Sequence, residues 1–243
     1  LLNATLGNLT ELVISLAALA AGQYMLVKAS IAGAIVTNTL FMLGGSFLLG
    51  GLRHHTQEFN RAGARLQAGL LFLATLALLV PSVVAKADGG TGVTQTLSLW
   101  LALLLIGTYG LSMLFTMGTH RVEFAGADHG EEEALWPLPL ALGLLAGVTL
   151  LVALVSEVFV ASVQIAAVNL GLTPAFVGFV VVALVGAAAE MTSAFSAARK
   201  DRLDLSVGIA LGSASQIALF VAPVLVLLSY EIGPEPMTLQ FWP

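Results

Sequence analysis

Two short stretches decide the reading of this chain: Gly7-Asn8-Leu9-Thr10-Glu11 and Gly186-Ala187-Ala188-Ala189-Glu190. Each sets a glycine four residues before a glutamate inside an otherwise apolar run. The two glutamates stand 179 positions apart. The same offset pairs Ala18 with Ala197, Leu26 with Leu205, Gly33 with Gly212, Leu40 with Leu219 and Phe41 with Phe220. Ala, Leu and Gly are common in this sequence, so the weight rests on the two Gly-x-x-x-Glu stretches, because an acid in an apolar run is rare.

The surroundings of these stretches are those of a membrane protein. Of 243 residues, 58% are hydrophobic and 9% charged, against roughly 25% charged in an ordinary soluble domain. Nine Lys+Arg and fourteen Asp+Glu cannot coat a globule of this size. A water-soluble enzyme is excluded, and scarce basic residues with a net charge of -5 exclude a nucleic-acid binder. With no cysteine there is no disulfide framework, thiolate metal site or Cys nucleophile.

A helix crosses the hydrocarbon with about 20 apolar residues. Seven stretches qualify: 1–22, 25–52, 66–85, 97–118, 136–165, 173–198 and 205–230. Polar or breaking residues cluster between them, at 53–65, 86–96, 119–135, 169–173 and 199–204. Regular β-alternation is absent, so the expected fold is an all-α membrane protein rather than a barrel. The loops after spans two, four and six hold Arg53, Arg61, Arg65, Arg121, Arg199, Lys200 and Arg202; the other side has Lys28 and Lys86. The positive-inside rule makes the first side cytoplasmic.

Spans one and six are five apart, so they cross in opposite directions. Oppositely oriented repeats are the architecture of many secondary transporters, with the ion site at the midplane between them. The organisation expected is most of a first inverted repeat over 1–118, an acidic cytosolic connection over 119–135, and part of a second repeat over 136–243. A chain that begins at Leu1 inside an apolar segment, without a signal peptide, reads as a fragment.

Three acids fall inside spans: Glu11, Glu157 and Glu190. A charged side chain at the bilayer centre costs about 2.5–3.5 kcal/mol on insertion scales. No Lys or Arg inside a span is expected to pair with them, so these carboxylates must bind protons, a cation, or each in turn. Asn8, Glu11 and Ser15 lie at i, i+3 and i+7, on one helix face. The second span adds Ser30, Thr37 and Asn38; the seventh adds Ser213 and Gln216, with Ser206 one heptad earlier. All are oxygen ligands, which suit a hard cation such as Ca²⁺ and argue against Cu or Zn. For Ser15, Ser30 and Ser196 the competing reading is a bond back to their own helix, and Glu157 taken alone also fits a protonated packing residue.

The segment Leu1-Leu2-Asn3-Ala4-Thr5-Leu6-Gly7-Asn8-Leu9-Thr10-Glu11-Leu12 resembles the first repeat motif of the vacuolar and microbial Ca²⁺/H⁺ antiporters, the cation/proton exchangers. Lys200-Asp201-Arg202-Leu203-Asp204-Leu205-Ser206 and Gly212-Ser213-Ala214-Ser215-Gln216-Ile217-Ala218-Leu219-Phe220-Val221 are similar to the family's second repeat and following helix. The resemblance implies an eleven-helix architecture, of which these spans look like helices three to nine. It implies that Glu11 and Glu190 are the central ion-binding carboxylates, with Asn8, Thr37, Asn38, Ser213 and Gln216 around them. Glu157 would line the access path on the non-cytoplasmic side, and Glu131 to Glu133 would fall in an acidic cytosolic helix; by composition that run equally reads as a solvated loop. The chain departs from the family pattern at Ala187 (usually Asn), Met191 (usually His), Ala34 (usually Ser) and Gln164 (often acidic).

The expected function is antiport of Ca²⁺, or a similar divalent cation, for H⁺ by alternating access, with no cofactor and with the lipid bilayer as surroundings. A prokaryotic cytoplasmic membrane is the expected host, a vacuolar membrane the alternative. Rival readings are a Na⁺/Ca²⁺ exchanger of the same superfamily, a cation channel, and an intramembrane hydrolase, which would favour Asp pairs; no Asp lies within a span.

Overall fold

The computed structural model describes residues 7–88, 91–116 and 137–241. Among them the chain is helical, and no strand is present. We number the helices α1 Leu9–Ala20, α2 Tyr24–Gly51, α3 Arg61–Asp88, α4 Thr91–Leu114, α5 Leu138–Leu170, α6 Pro174–Gly186, α7 Ala188–Arg199 and α8 Leu203–Ile232. The connection expected at 119–135, with Glu131 to Glu133, lies outside the described residues.

Five helices (α2, α3, α4, α5 and α8) are long and apolar enough to cross a membrane, and a sixth span arises if α6 and α7 count together. The protein is an integral, multi-pass membrane protein. Among the described residues the seven expected stretches are thus not seven continuous spans. The sixth is bent by 55° between Gly186 and Ala188. The described part of the first is a helix of 12 residues, about 18 Å long at 1.5 Å per residue, shorter than the roughly 30 Å hydrocarbon core. The helices also run past the expected breaks: α3 extends to Asp88, α4 starts at Thr91 and α5 ends at Leu170. Polar residues end an apolar window without ending a helix, because the backbone bonds continue into the interfacial region.

Local sequence sets the ends. Thr173 caps α6: its Oγ1 accepts the Phe176 N–H at 3.2 Å, with Pro174 at the first helical position. Gly171, at φ 66°, closes α5 in the left-handed conformation. Wide, π-type turns interrupt α2 at Thr37–Met42 and α8 at Ile217–Val221. These two turns fall at equivalent places under the offset of 179. So do the residues that open the half-helices, Asn8 before α1 and Ala187 before α7. The repeat legible in seven identities is therefore also present in the backbone.

The outer helices face an apolar surrounding. In α5 only 11% of the most apolar window is buried, against 67% in α8, and Leu144, Leu151, Leu154 and Val158 of α5 point outward. Inside, α2 crosses α6 at Gly33 and Gly178. A Cβ on Gly33 would overlap the Phe179 carbonyl, and one on Gly178 would lie 2.6 Å from the Leu26 carbonyl oxygen. Small residues give membrane helices this close approach. Gly33→Ala is expected to cost about 1–3 kcal/mol as overpacking against an unyielding backbone, read as a lower melting temperature of the purified protein in detergent.

The two ends of the bundle are closed by different contacts. At the end assigned to the cytoplasm, the Gln57 amide donates to the Ala198 carbonyl and to Asp201 Oδ1, both at 3.0 Å. At the other end an extended segment, residues 233–241, lies across four helices. Its Met237, Leu239 and Phe241 N–H groups donate to Ser229, Ser98 and Ser82 at 2.7, 3.0 and 3.0 Å. Lys28, within the second expected span, stands in α2, and its Nζ donates to the Gln240 carbonyl at 2.7 Å and to Thr238 Oγ1 at 3.2 Å. It serves that segment rather than a carboxylate.

Candidate ion site

The bends place the two key acids alike. Glu11 is the third residue of α1 and Glu190 the third of α7, each in the first turn, where unpaired N–H groups put partial positive charge beside the carboxylate. Both are half-buried. Glu11 rests against Gly186: a Cβ there would stand 3.2 Å from its Cγ and 3.3 Å from its Oε1. The glycine of the second Gly-x-x-x-Glu stretch makes room for the glutamate of the first.

Asn8 precedes α1, a position where asparagine commonly caps the helix with its side chain. Here it makes no cap bond. Its Oδ1 lies 2.7 Å from Ser213 Oγ, which is also 2.6 Å from Glu190 Oε2 and receives the Asn38 Nδ2 donor at 2.8 Å. Four residues from α2, α7, α8 and the start of α1 thus meet at one hydroxyl, drawn from both repeats.

That hydroxyl has one proton to give. Two arrangements close the cluster. With Glu190 protonated, Glu190 donates to Ser213 and Ser213 donates to Asn8 Oδ1. With Glu190 ionised, Ser213 donates to Glu190 and Asn8 turns its amide so that Nδ2 donates to Ser213. Asn8 Nδ2, Asn38 Oδ1 and Glu11 Oε1 are buried with no hydrogen-bond partner. Buried polar atoms are normally paired, so the unpaired Glu11 carboxylate and Asn38 amide oxygens are each ready to take a cation or water. Among the described residues no three His, Cys, Asp or Glu side chains group together. The donors are two carboxylates with amide and hydroxyl oxygens, a hard-cation set.

Beside Glu11 lies a crevice lined by Glu11, Ser15, Ser30, Ala34, Gly186 and Ile217, among others, with room for about one water molecule. Ser30 donates back to the Val27 carbonyl at 2.8 Å, the competing reading realised.

The remaining expected residues are less central. Thr37 is buried next to Asn38 but joins none of the bonds to Ser213. Gln216 is buried one turn beyond Ser213 and has contacts of its own. Glu157 is not gathered in. It is exposed on α5, while its neighbour Ser156 turns inward and donates to the Val152 carbonyl at 2.6 Å. The helical turn that buries Ser156 faces Glu157 outward. Gly186, in the second Gly-x-x-x-Glu stretch, is one of the glycines the sequence marks for close helix approach, and the structure sets it against Glu11. Nothing in the sequence marked the crevice wall from the wide turn at Ile217.

Residues 1–118 and 140–243 match the family described as sodium/calcium exchanger protein. The chain belongs to this family. Within it, the chain is 41% identical to the Ca(2+)/H(+) antiporter of Synechocystis sp. over 265 residues, covering all of this chain and 70% of that protein. It is 40% identical to the Ca(2+)/H(+) antiporter ChaA of Bacillus subtilis, covering 99% of this chain and 70% of that protein. The solved structure of native YfkE superposes with a TM-score of 0.83 at 36% identity, covering all of this chain and 69% of that one. This is a family of transporters rather than enzymes.

Proposed function

We propose that this chain forms the ion-translocating core of an antiporter that exchanges Ca²⁺ for H⁺ by alternating access, with Glu11 and Glu190 as the groups that bind both ions. Asn8, Asn38 and Ser213 complete the ligand shell, and Thr37, Gln216 and Glu157 belong to its approaches. The observation that carries the reading is the single Ser213 hydroxyl tying Glu190 to Asn8 and Asn38, with Glu11 packed on Gly186 and the Glu11 Oε1 and Asn38 Oδ1 oxygens buried without partners. Both carboxylates ionised suit a divalent cation; both protonated are neutral and tolerable away from water. A bare, doubly charged pair opposes passage through the apolar barrier, so the rearrangement proceeds only with one ligand or the other bound. Exchange follows without a separate coupling device.

The Na⁺/Ca²⁺ alternative is disfavoured because the relatives described above are named for H⁺. In inverted membrane vesicles carrying the whole exchanger, an inward-acid proton gradient should drive ⁴⁵Ca²⁺ uptake. A protonophore should collapse it, and Na⁺ should not replace the gradient. Uptake that follows a Na⁺ gradient and ignores the protonophore would overturn the reading.

A further inference from the structure

The two halves of the ion site are not equal, and the repeat shows where they part. Glu190 has a protein partner in Ser213. At the same offset of 179, Glu11 corresponds to Glu190 and Ala34 corresponds to Ser213. Ala34 is buried and lines the crevice beside Glu11, but it has no hydroxyl to offer. Glu11 Oε1 is accordingly buried without a partner. The opposite pair follows the same rule: Asn8, which bonds Ser213, corresponds to Ala187, which is fully buried in an apolar cluster with Met42, Ala194 and Ala210. Both members of the Asn8–Ser213 pair are alanine in the other half, which removes the bond between them together with the hydroxyl that would serve Glu11.

We propose that Ala34 sets the affinity of the site by leaving Glu11 to be completed by one water molecule in the crevice, while Glu190 is held by the protein through Ser213. Glu11 is then the exchanging member: the incoming Ca²⁺ displaces or shares that water, whereas at Glu190 it meets a group already fixed in place. The crevice has space for about one water, Glu11 is among the residues that line it, and Glu11 Oε1 is buried without a partner. The proposal rests on the antiport reading given above.

The test is the KM for Ca²⁺ in proton-driven vesicle uptake by Ala34→Ser and by Ala34→Cys, a similar volume without a comparable donor. A serine hydroxyl at position 34 gives Glu11 the bond that Glu190 already has and adds a hard oxygen. KM is expected to fall by about three- to tenfold in Ala34→Ser and not to fall in Ala34→Cys. An unchanged or raised KM in Ala34→Ser, or an equal fall in both variants, overturns the proposal. A high-resolution map of the unsubstituted exchanger provides a second measurement that needs no variant: a water within hydrogen-bond distance of Glu11 Oε1 beside Ala34 supports it, and a dry crevice overturns it. Lack of proton-driven uptake by the unsubstituted protein would instead count against the antiport reading, so the two failures are distinguishable.

Discussion

Replacing Glu190 by glutamine is expected to reduce proton-driven ⁴⁵Ca²⁺ uptake to background, and Glu11→Gln to do the same. Glutamine keeps the shape and one carbonyl oxygen but loses both the charge and the exchangeable proton. Removing one partner from a buried ionic site costs about 3–5 kcal/mol, and 3 kcal/mol is already more than about a hundredfold in affinity. The antiporter would also lose its second ligand, because an amide does not take up the returning proton. The two variants should differ in the folded state. Glu190 is tied to Ser213 and Glu11 has an orphan oxygen, so Glu190→Gln disturbs an existing network whereas Glu11→Gln leaves the empty site nearly intact. Melting curves without Ca²⁺ should show the larger shift for Glu190→Gln. Normal uptake by either variant would remove that residue from the site.

Ser213→Ala is the second large effect. It removes the one atom shared by Asn8, Asn38 and Glu190. Each buried group left without a partner costs about 1–3 kcal/mol, so stability should fall by about 3 kcal/mol or more, less whatever water recovers. Transport should suffer through KM: the ligands remain but are no longer held in register, and a rise of about tenfold or more in the KM for Ca²⁺ corresponds to about 1.4 kcal/mol of lost preorganisation. Ser213→Thr, which retains the hydroxyl, should recover part of both. Unchanged KM in Ser213→Ala would show that the hydrogen-bonded cluster is structural only.

The parts of this site legible in the sequence were those that break a composition rule. Glu11 and Glu190 stood out because acids are costly in apolar spans, and their shared offset named them as equivalents. Asn8, Asn38 and Ser213 were visible as polar residues near those acids along helical spacing, and the structure joins them at one hydroxyl. The bend at Ala187 was not legible: no proline marks it, and alanine favours helix, so the break comes from the way α6 and α7 pack rather than from local preference. The partners of Lys28 were not legible, because Thr238 and Gln240 are more than 200 residues away in sequence. Glu157 was read as an access-path residue from its charge and from the family resemblance; the structure places it exposed on α5, outside the cluster at Ser213. The departures at Ala34 and Ala187 could each be seen singly. That they are the two ends of one missing hydrogen bond required the geometry of the half that keeps it.

The central claim is that the same two carboxylates hold Ca²⁺ and protons in turn. It is tested most directly by adding Ca²⁺ to the purified exchanger in weakly buffered detergent solution and measuring the protons released. The unsubstituted protein should release protons as Ca²⁺ binds, and the Glu11→Gln/Glu190→Gln double variant should release none. Ca²⁺ binding without proton release, or undiminished release from the double variant, would contradict it.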